Sequence, residues 1–407
     1  MADHAAATQL LTLTGTDRPG VTTAVFSALE GFGVEVLDIE QIVVRGRLML
    51  TILVSAPSPR QAARWRRQLR DTAAGLGMVL DQAEGAGDNA RRRDGRAHVT
   101  VLSRPLTPQA VAAVTGRIAD TGANIDRIVR MARYPVTAIE FHVSGADLHQ
   151  LREVLAKEAV RQSVDVAVQN VGLLRHGRRL LVLDVDSTLV QGEVIDDLAH
   201  RAGAGAEVAA VTAQAMRGEL DFAASLRARV ALLAGLNATV LDEVYAAMTL
   251  APGAQTLVRT LRRLGYRLAI VSGGFRQLTD RLAADLGIHY AYANELEIVD
   301  GVLTGRIVGE VVDRAAKADA LRRFAADSNI SLDRTVAVGD GANDLDMLAA
   351  AGLGIAYNAK PAVQQAAHAT VNVPYLDAIL YLLGISREDI EADDAQHGIT
   401  TPAPDIR

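Results

Sequence analysis

Two aspartates, Asp184 and Asp186, stand two residues apart in LVLDVDSTLV (181–190), at the end of an apolar run that reads as a buried strand. A buried carboxylate without a partner is costly, and it persists where it meets a cation, a hydrogen-bond donor or a reaction. Two further segments have the same form, an apolar strand ending in small and polar residues: VSGG (271–274) and VGDGAND (338–344). In an open parallel sheet, ligands bind beyond the carboxyl ends of the strands, so the three ends are expected to converge. Convergence brings Asp184, Asp186 and Ser187 to Ser272 and Gly273, and to Asp340, Asn343 and Asp344. Lys317 joins them from the helix-start pattern DRAAKADAL.

Carboxylates gathered in this way repel one another unless a cation stands among them. A hard divalent ion that takes oxygen ligands and shares its shell with phosphate and water fits the set, which points to Mg²⁺. Zinc favours His or Cys, and the motifs hold neither. The expected metal positions are Asp184, Asp340 and Asp186, the last by carboxylate or by backbone carbonyl, with Asp344 and Ser187 in support. Ser187, Ser272 and Gly273 suit a phosphate as hydrogen-bond donors, Asn343 stands beside them, and Lys317 supplies a fixed positive charge. In-line phosphoryl transfer then needs a nucleophile and an acid. Asp184 is the expected nucleophile, giving an aspartyl-phosphate. Asp186 is expected to protonate the leaving oxygen and later to take a proton from water.

The elements that must position these residues follow from periodicity. From Arg179 onward, strands at 180–185, 267–272, 335–339 and 353–356 alternate with amphipathic helices, the pattern of a parallel sheet covered on both faces. The stretch 193–250 is helical throughout and interrupts that alternation after its first strand, as an inserted cap would. Before it, a βαββαβ order runs from Leu10 and recurs from His98, giving two ferredoxin-like units head to tail. The expected organisation is a first unit at 8–83, a linker at 84–96 containing Arg91-Arg92-Arg93, and a second unit at 97–172. A seam, GLLRHGR, precedes the α/β core at 179–192 and 251–386. The cap covers 193–250 and a flexible tail 387–407.

Bulk composition narrows the classes. The 407 residues are 49% hydrophobic and 22% charged, which is ample for a folded core. A net charge of −6 argues against nucleic acid or an anionic membrane as partner, since both reward a basic surface. The absence of cysteine excludes disulfides, thiol catalysis and thiolate metal sites. The N-terminus MADHAAATQL lacks a signal peptide's basic start and apolar core, so a cytoplasmic location is expected.

DVDST, VSGG, the isolated Lys317 and GDGAND together resemble the four signatures of the haloacid dehalogenase-like superfamily. The 179–385 region is similar to its phosphoserine phosphatase family, including cap segments VQGEVIDDLA (190–199) and MRGELDFAASLRARVALLAGL (216–236). The resemblance implies hydrolysis of O-phospho-L-serine to serine and phosphate, the last step of serine biosynthesis, with Mg²⁺. It also implies that Glu193 faces the substrate ammonium and Arg229 its carboxylate, a Glu suiting a cation and an Arg fork a carboxylate. Phe222 and Met216 seal the closed cap or pack its helices. The two N-terminal units resemble ACT domains: GTDRPGV (15–21) stands at the strand-to-helix turn of the first, and SRPLTPQAV (103–111) of the second lacks the Gly after Pro. Regulation by serine or a related amino acid, and a homodimer or higher homo-oligomer, are implied by that similarity. Two other readings stand beside it: a phosphatase of the superfamily for another small phosphomonoester, and an amino acid sensor with a silent phosphatase domain.

Overall fold

The computed structural model describes residues 7–86, 95–172, 177, 179–217 and 219–402. The Arg91-Arg92-Arg93 cluster and most of the GLLRHGR seam lie outside the described residues, as does the side chain of Met216. The chain divides at residues 92 and 93 into two compact units.

The first unit runs β1 (Ala7–Thr16), α1 (Val21–Leu29), β2 (Val36–Val44), β3 (Arg47–Ser55), α2 (Ala62–Gly75) and β4 (Val79–Ala86). Its antiparallel sheet has the order β2-β3-β1-β4. Strand periodicity of two sends Leu11 and Leu13 of β1 and Leu48, Leu50, Ile52 and Val54 of β3 into one core with Val25, Trp65 and Leu69 of the helices. Gly20, at φ 89°, opens α1 in the left-handed region that favours glycine, which accounts for its place in GTDRPGV. The outer strand β2 keeps Leu37, Ile39, Ile42, Val43 and Val44 exposed.

The second unit begins with another βαββαβ set: β5 (Ala97–Ser103), α3 (Pro108–Asp120), β6 (Asn124–Ala132), β7 (Thr137–Ser144), α4 (Leu148–Gln162) and β8 (Asp165–Asn170). Thr107 and Asp147 cap α3 and α4 by accepting hydrogen bonds from Ala110 N and Gln150 N. After β9 (Leu180–Leu183) come four cap helices, α5 (Val194–Arg201), α6 (Gly205–Met216), α7 (Phe222–Ala231) and α8 (Val240–Ala247). The α/β alternation resumes with α9 (Ala254–Arg263), β10 (Arg267–Phe275) and α10 (Arg276–Leu286). A hairpin, β11 (Tyr290–Val299) and β12 (Val302–Val308), precedes α11 (Arg314–Asp327), β13 (Thr335–Gly339), α12 (Leu345–Ala350) and β14 (Leu353–Tyr357). The last elements are α13 (Pro361–Ala366), β15 (Ala369–Val371), α14 (Ile379–Leu382) and α15 (Arg387–Gln396).

All strands of this unit belong to one sheet, in the order β12-β11-β10-β9-β13-β14-β15-β8-β5-β7-β6. The strands from β11 to β15 run parallel, and helices cover both of their faces. Leu181, Leu183, Val336 and Val338 pack with α9, α10 and α14, while Leu180, Val182, Ala269 and Ala337 pack with α11 and α12. Burial on both sides explains why these strands read as unbroken apolar runs. The cap has its own core, Leu198, Val208, Leu226, Val230 and Val244, closed by Leu296 and Leu303 of the β11–β12 hairpin.

The junction between the second βαββαβ set and the α/β core is a continuation of the sheet. Ala369 of β15 pairs with Ala167 of β8. Asp165 fixes the seam by accepting hydrogen bonds from Thr370 Oγ1 at 2.8 Å, Asn372 N at 2.8 Å and Asn372 Nδ2 at 2.7 Å.

The expected flexible tail is corrected: from 387 the chain forms the helix α15, capped by Ser386 and Asp389. Its acids look solvated in sequence because their partners lie more than a hundred positions away. Asp394, fully enclosed, accepts from Arg259 Nη2 at 2.6 Å and Arg263 Nη1 at 2.9 Å of α9, and from Thr401 Oγ1 at 2.9 Å. Burial alone would push this carboxyl up, but the hydrogen bonds from Arg259, Thr401 and Arg263 outweigh it and hold it below its ordinary 3.8. A depressed folded value means that the stabilisation is present above the unfolded value and is lost as pH falls through the folded one. Asp394→Asn is therefore expected to lower the unfolding free energy by about 2 kcal/mol at neutral pH. The deficit in urea titrations should begin to shrink below about pH 4 and disappear only once the pH has fallen through the lower folded value, where the native carboxyl is itself protonated. Equal stability of the two proteins at pH 7 would contradict the assignment.

Candidate active site

The strand order explains why three distant motifs meet. β9 is central, with β10 on one side and β13 on the other, and Leu183 lies level with Ile270 and with Val338. One step further along each strand come Asp184, Val271-Ser272 and Gly339-Asp340. The Asp184 N–H donates to Val338 O at 2.9 Å, which locks the first strand end to the third. Beyond it the chain turns irregularly over 185–189, and Ser187 takes φ 55°. A non-glycine residue in that region marks strain commonly found at functional sites.

At the base of the site is a buried lysine. Lys317 Nζ, fully buried, lies 2.8 Å from Asp184 Oδ1 and 2.7 Å from Asp344 Oδ1. Burial would pull the ammonium down, yet Asp184 and Asp344 overcome it and hold the group above the usual lysine range. The Asp184 carboxyl is pushed well up by burial and by Asp344 and Asp186, with Lys317 opposing. Asp340 is pushed up to about 6, chiefly by burial and then by Asp344, against a hydrogen bond from Thr188 Oγ1 at 3.1 Å. So the site holds more negative charge than one lysine satisfies.

Asp184, Asp340 and Asp344 each offer a carboxylate oxygen within 4.8 Å of the others. The donor set is entirely oxygen, as a Mg²⁺ ion requires. Asp344 is already committed on both oxygens, one to Lys317 and the other to Gly341 N at 3.0 Å, which suits a supporting position. The Asp186 carboxylate is not in this cluster. Its Oδ1 accepts from Val194 N at 2.9 Å and its Oδ2 from Ser272 Oγ at 2.9 Å. The carboxylate thus points across the site, held by the first residue of cap helix α5 and by the VSGG loop, and its backbone carbonyl is the route left to a metal.

Ser272 is wholly buried; its hydroxyl donates to Asp186 and accepts from Gly274 N at 2.7 Å. Glycines here answer a space requirement. A Cβ at Gly274 would stand 2.9 Å from Asp186 Oδ2, and one at Gly339 would stand within 2.4 Å of Asp344. At Gly273 it would meet Phe222 of α7 at 3.0 Å, so the cap rests directly on this loop. Asn343 folds its Oδ1 against Gly341 in the same loop.

Above the acids, Glu193 accepts a hydrogen bond from Ser187 Oγ at 3.3 Å. Although it keeps an exposed edge, the protein around its carboxyl and then the charges of Asp186 and Asp340 push it up to about 7. Arg229 faces Glu193, Asp196 and Asp186 electrostatically, but burial outweighs them and lowers its guanidinium. Its Nε is buried with no hydrogen-bond partner. An orphaned donor of this kind fits a carboxylate ligand.

Three contributors are absent from the sequence reading. Asn294, 1% exposed in the middle of β11, donates to Gly273 O at 2.8 Å and accepts from Val312 N at 2.8 Å, so it props the VSGG segment. Thr188 orients Asp340, and Gly339 gives Asp344 room. A lone buried Asn in the apolar stretch AYANELEI was the available signal for the first.

Sheet order, converging strand ends and inserted cap together define the haloacid dehalogenase-like hydrolases, and the model of that family matches residues 181–349. ACT domain models match residues 8–82 and 96–169. A phosphoserine phosphatase of Streptomyces coelicolor is 57% identical over 387 residues, 95% of this chain and 94% of that one. One of Mycobacterium tuberculosis is 53% identical over 391 residues, 95% of each chain. Among solved structures, a probable phosphoserine phosphatase of Vibrio cholerae aligns with TM-score 0.57 and 35% identity, over 74% of this chain and 89% of its own. A haloacid dehalogenase family hydrolase of Salmonella enterica aligns with TM-score 0.60 and 30% identity, over 70% of this chain and 98% of its own. The chain belongs to the phosphoserine phosphatase family.

Lys317→Met is expected to leave Asp184 and Asp344 facing each other in a dry site and to destabilise the protein by about 3 kcal/mol or more. Saturating Mg²⁺ should restore part of that loss, because a second cation then shares the acids. Thermal melts with and without Mg²⁺ measure both effects; a variant as stable as wild type would contradict the account.

Proposed function

We propose that the protein hydrolyses O-phospho-L-serine to serine and phosphate. The observation that carries this reading is that Arg229, whose buried Nε has no partner, lies close enough to Glu193 and to Asp186 of the acidic centre to feel both charges. A phosphatase that read only phosphate would need neither. The substrate ammonium would lie against Glu193 and restore the charge that burial weakens, while the substrate carboxylate would engage Arg229. Related phosphomonoesters lacking either group would forfeit one of these contacts.

In the proposed reaction Asp184 attacks phosphorus, the bond to the serine oxygen breaks, and Asp186 gives that oxygen a proton. Water then attacks the aspartyl-phosphate, with Asp186 taking its proton, and phosphate leaves as Asp184 is regenerated. Lys317 neutralises charge on the phosphoryl oxygens and on Asp184, and Ser187, Gly273 and Asn343 line their path. Ser272 orients Asp186 by the hydrogen bond described. Because Asp186 also accepts from Val194 N, closing of the cap and aiming of the acid are one event. Bound to Asp184, Asp340 and the Asp186 carbonyl, Mg²⁺ would supply charge neutralisation at the phosphoryl group.

The ACT domains are proposed to bind serine or a related amino acid, and the exposed apolar edge of β2 to pair with a second copy of the chain, giving a homodimer or larger assembly. Among the described residues no helix is long and apolar enough to cross a membrane. We place the enzyme in the cytoplasm, at the last step of serine biosynthesis.

Phosphate release from O-phospho-L-serine should exceed that from a panel of other phosphomonoesters. Arg229→Ala is expected to lower kcat/KM for phosphoserine roughly ten- to a hundredfold and to leave an aryl phosphate almost unaffected. Equal losses on both substrates would mean that Arg229 does not read the carboxylate. Titration with L-serine should change either the turnover rate or the sedimentation coefficient, and no response in either would remove the effector reading.

A further inference from the structure

A second cluster of metal-ligating side chains lies on the ACT-like sheet of the second unit, outside the phosphatase centre. β5 and β7 are antiparallel neighbours in which His98 stands opposite His142 and Thr100 opposite Glu140, so all four side chains share one face. His98 Nδ1 lies 3.2 Å and His142 Nε2 3.1 Å from the same atom, Glu140 Oε1. The two imidazoles cross edge to face with ring centres 4.4 Å apart.

Zinc bonded at about 2.0–2.1 Å in a tetrahedron separates its ligand atoms by about 3.3 Å, close to both of these spacings. Hydrogen bonding explains only one of them. His142 bonds to Glu140, but His98 Nδ1, though as close, is buried and makes no hydrogen bond. A buried ring nitrogen that the protein itself leaves without a hydrogen bond fits a metal ligand. Thr100 Oγ1 donates to the other Glu140 oxygen at 3.2 Å, the outer contact that orients a ligating carboxylate.

The surroundings permit an ion. The His98 and Glu140 side chains are 12% and 5% exposed while His142 is 30% exposed, which leaves entry from the His142 side. Burial, and then His98, pull the His142 imidazolium toward its neutral form. Arg127, level with His142 on β6, is the cation that opposes occupancy, and Glu140 offsets it. Gln169, level with His98 on β8, reaches from this face to Leu382 O, so the cluster lies on the side of the sheet that meets the C-terminal segment of the core.

We propose that His98, Glu140 and His142 form a second metal site, for a borderline transition ion of the Zn²⁺ class, completed by water. Two imidazoles and one carboxylate select such an ion over the hard Mg²⁺ suited to the acidic centre. The two sites are therefore chemically distinguishable in one protein, whatever the phosphatase reaction proves to be.

The test uses the full chain loaded with Zn²⁺ and read by X-ray absorption, and loaded with Co²⁺ and read by visible absorption. Wild-type protein should show the multiple-scattering signature of two imidazoles on zinc and the intense visible bands of four-coordinate cobalt. Both should persist in Asp340→Asn, and His142→Asn should weaken Zn²⁺ binding at least about tenfold in competition with a chromophoric chelator. Oxygen-only scattering in the wild type would overturn the proposal, as would Zn²⁺ affinity unchanged by His142→Asn. The wild-type spectrum decides even if a variant fails to fold.

Discussion

A single buried ammonium holds the acidic centre together. Lys317, without exposed surface, bridges Asp184 and Asp344 at 2.8 and 2.7 Å, and it lets two carboxylates sit side by side at the end of an apolar sheet. Removing a charge from water costs several kcal/mol, and only close partners return that energy. Here the returns are unequal: Asp184 and Asp340 remain pushed above their ordinary values, Asp340 to about 6. The centre is thus folded around a deficit of positive charge. In the proposed reaction a divalent cation and a phosphoryl group would complete it, one as metal and the other as substrate.

The sheet makes that charge arrangement possible and couples it to the rest of the second unit. β9 carries Asp184 between β10 and β13, so Ser272 and Asp340 arrive from the two sides without long loops. Asp186 is held from both directions, by the core through Ser272 and by the cap through Val194. On the far side, β15 passes the sheet to β8, and Asp165 ties the second ACT domain to Thr370 and Asn372. A change in that domain has a continuous hydrogen-bonded route toward β14 and β13.

Much of this was legible in the sequence because the signals were local. Strand ends bearing DVDST, VSGG and GDGAND announce themselves by an apolar run followed by acids and glycines, and βαββαβ order shows in periodicity alone. What failed to show was set by distant partners. The acids of α15 read as a solvated tail because Arg259 and Arg263 lie more than a hundred residues away. The β11–β12 hairpin was hidden because its strands serve two roles, β11 extending the parallel sheet and both closing the cap core. Continuity of β8 with β15 rests on one backbone pair and a few side-chain hydrogen bonds, and a repeat pattern carries no trace of such a seam. Asp186 illustrates the same limit within the site: its spacing from Asp184 left carboxylate and backbone carbonyl both open as the metal contact, and only Ser272 and Val194 decide where the carboxylate points.

The central claim is that the carboxylate of Asp184 becomes phosphorylated during turnover. Enzyme mixed with O-phospho-L-serine and Mg²⁺, quenched within a turnover and treated with borohydride, converts an aspartyl-phosphate to homoserine, which peptide mass spectrometry locates. The account predicts homoserine at position 184 and at no other aspartate. Homoserine elsewhere, or none at 184 while turnover proceeds and the reduction works on a control acyl phosphate, would contradict it.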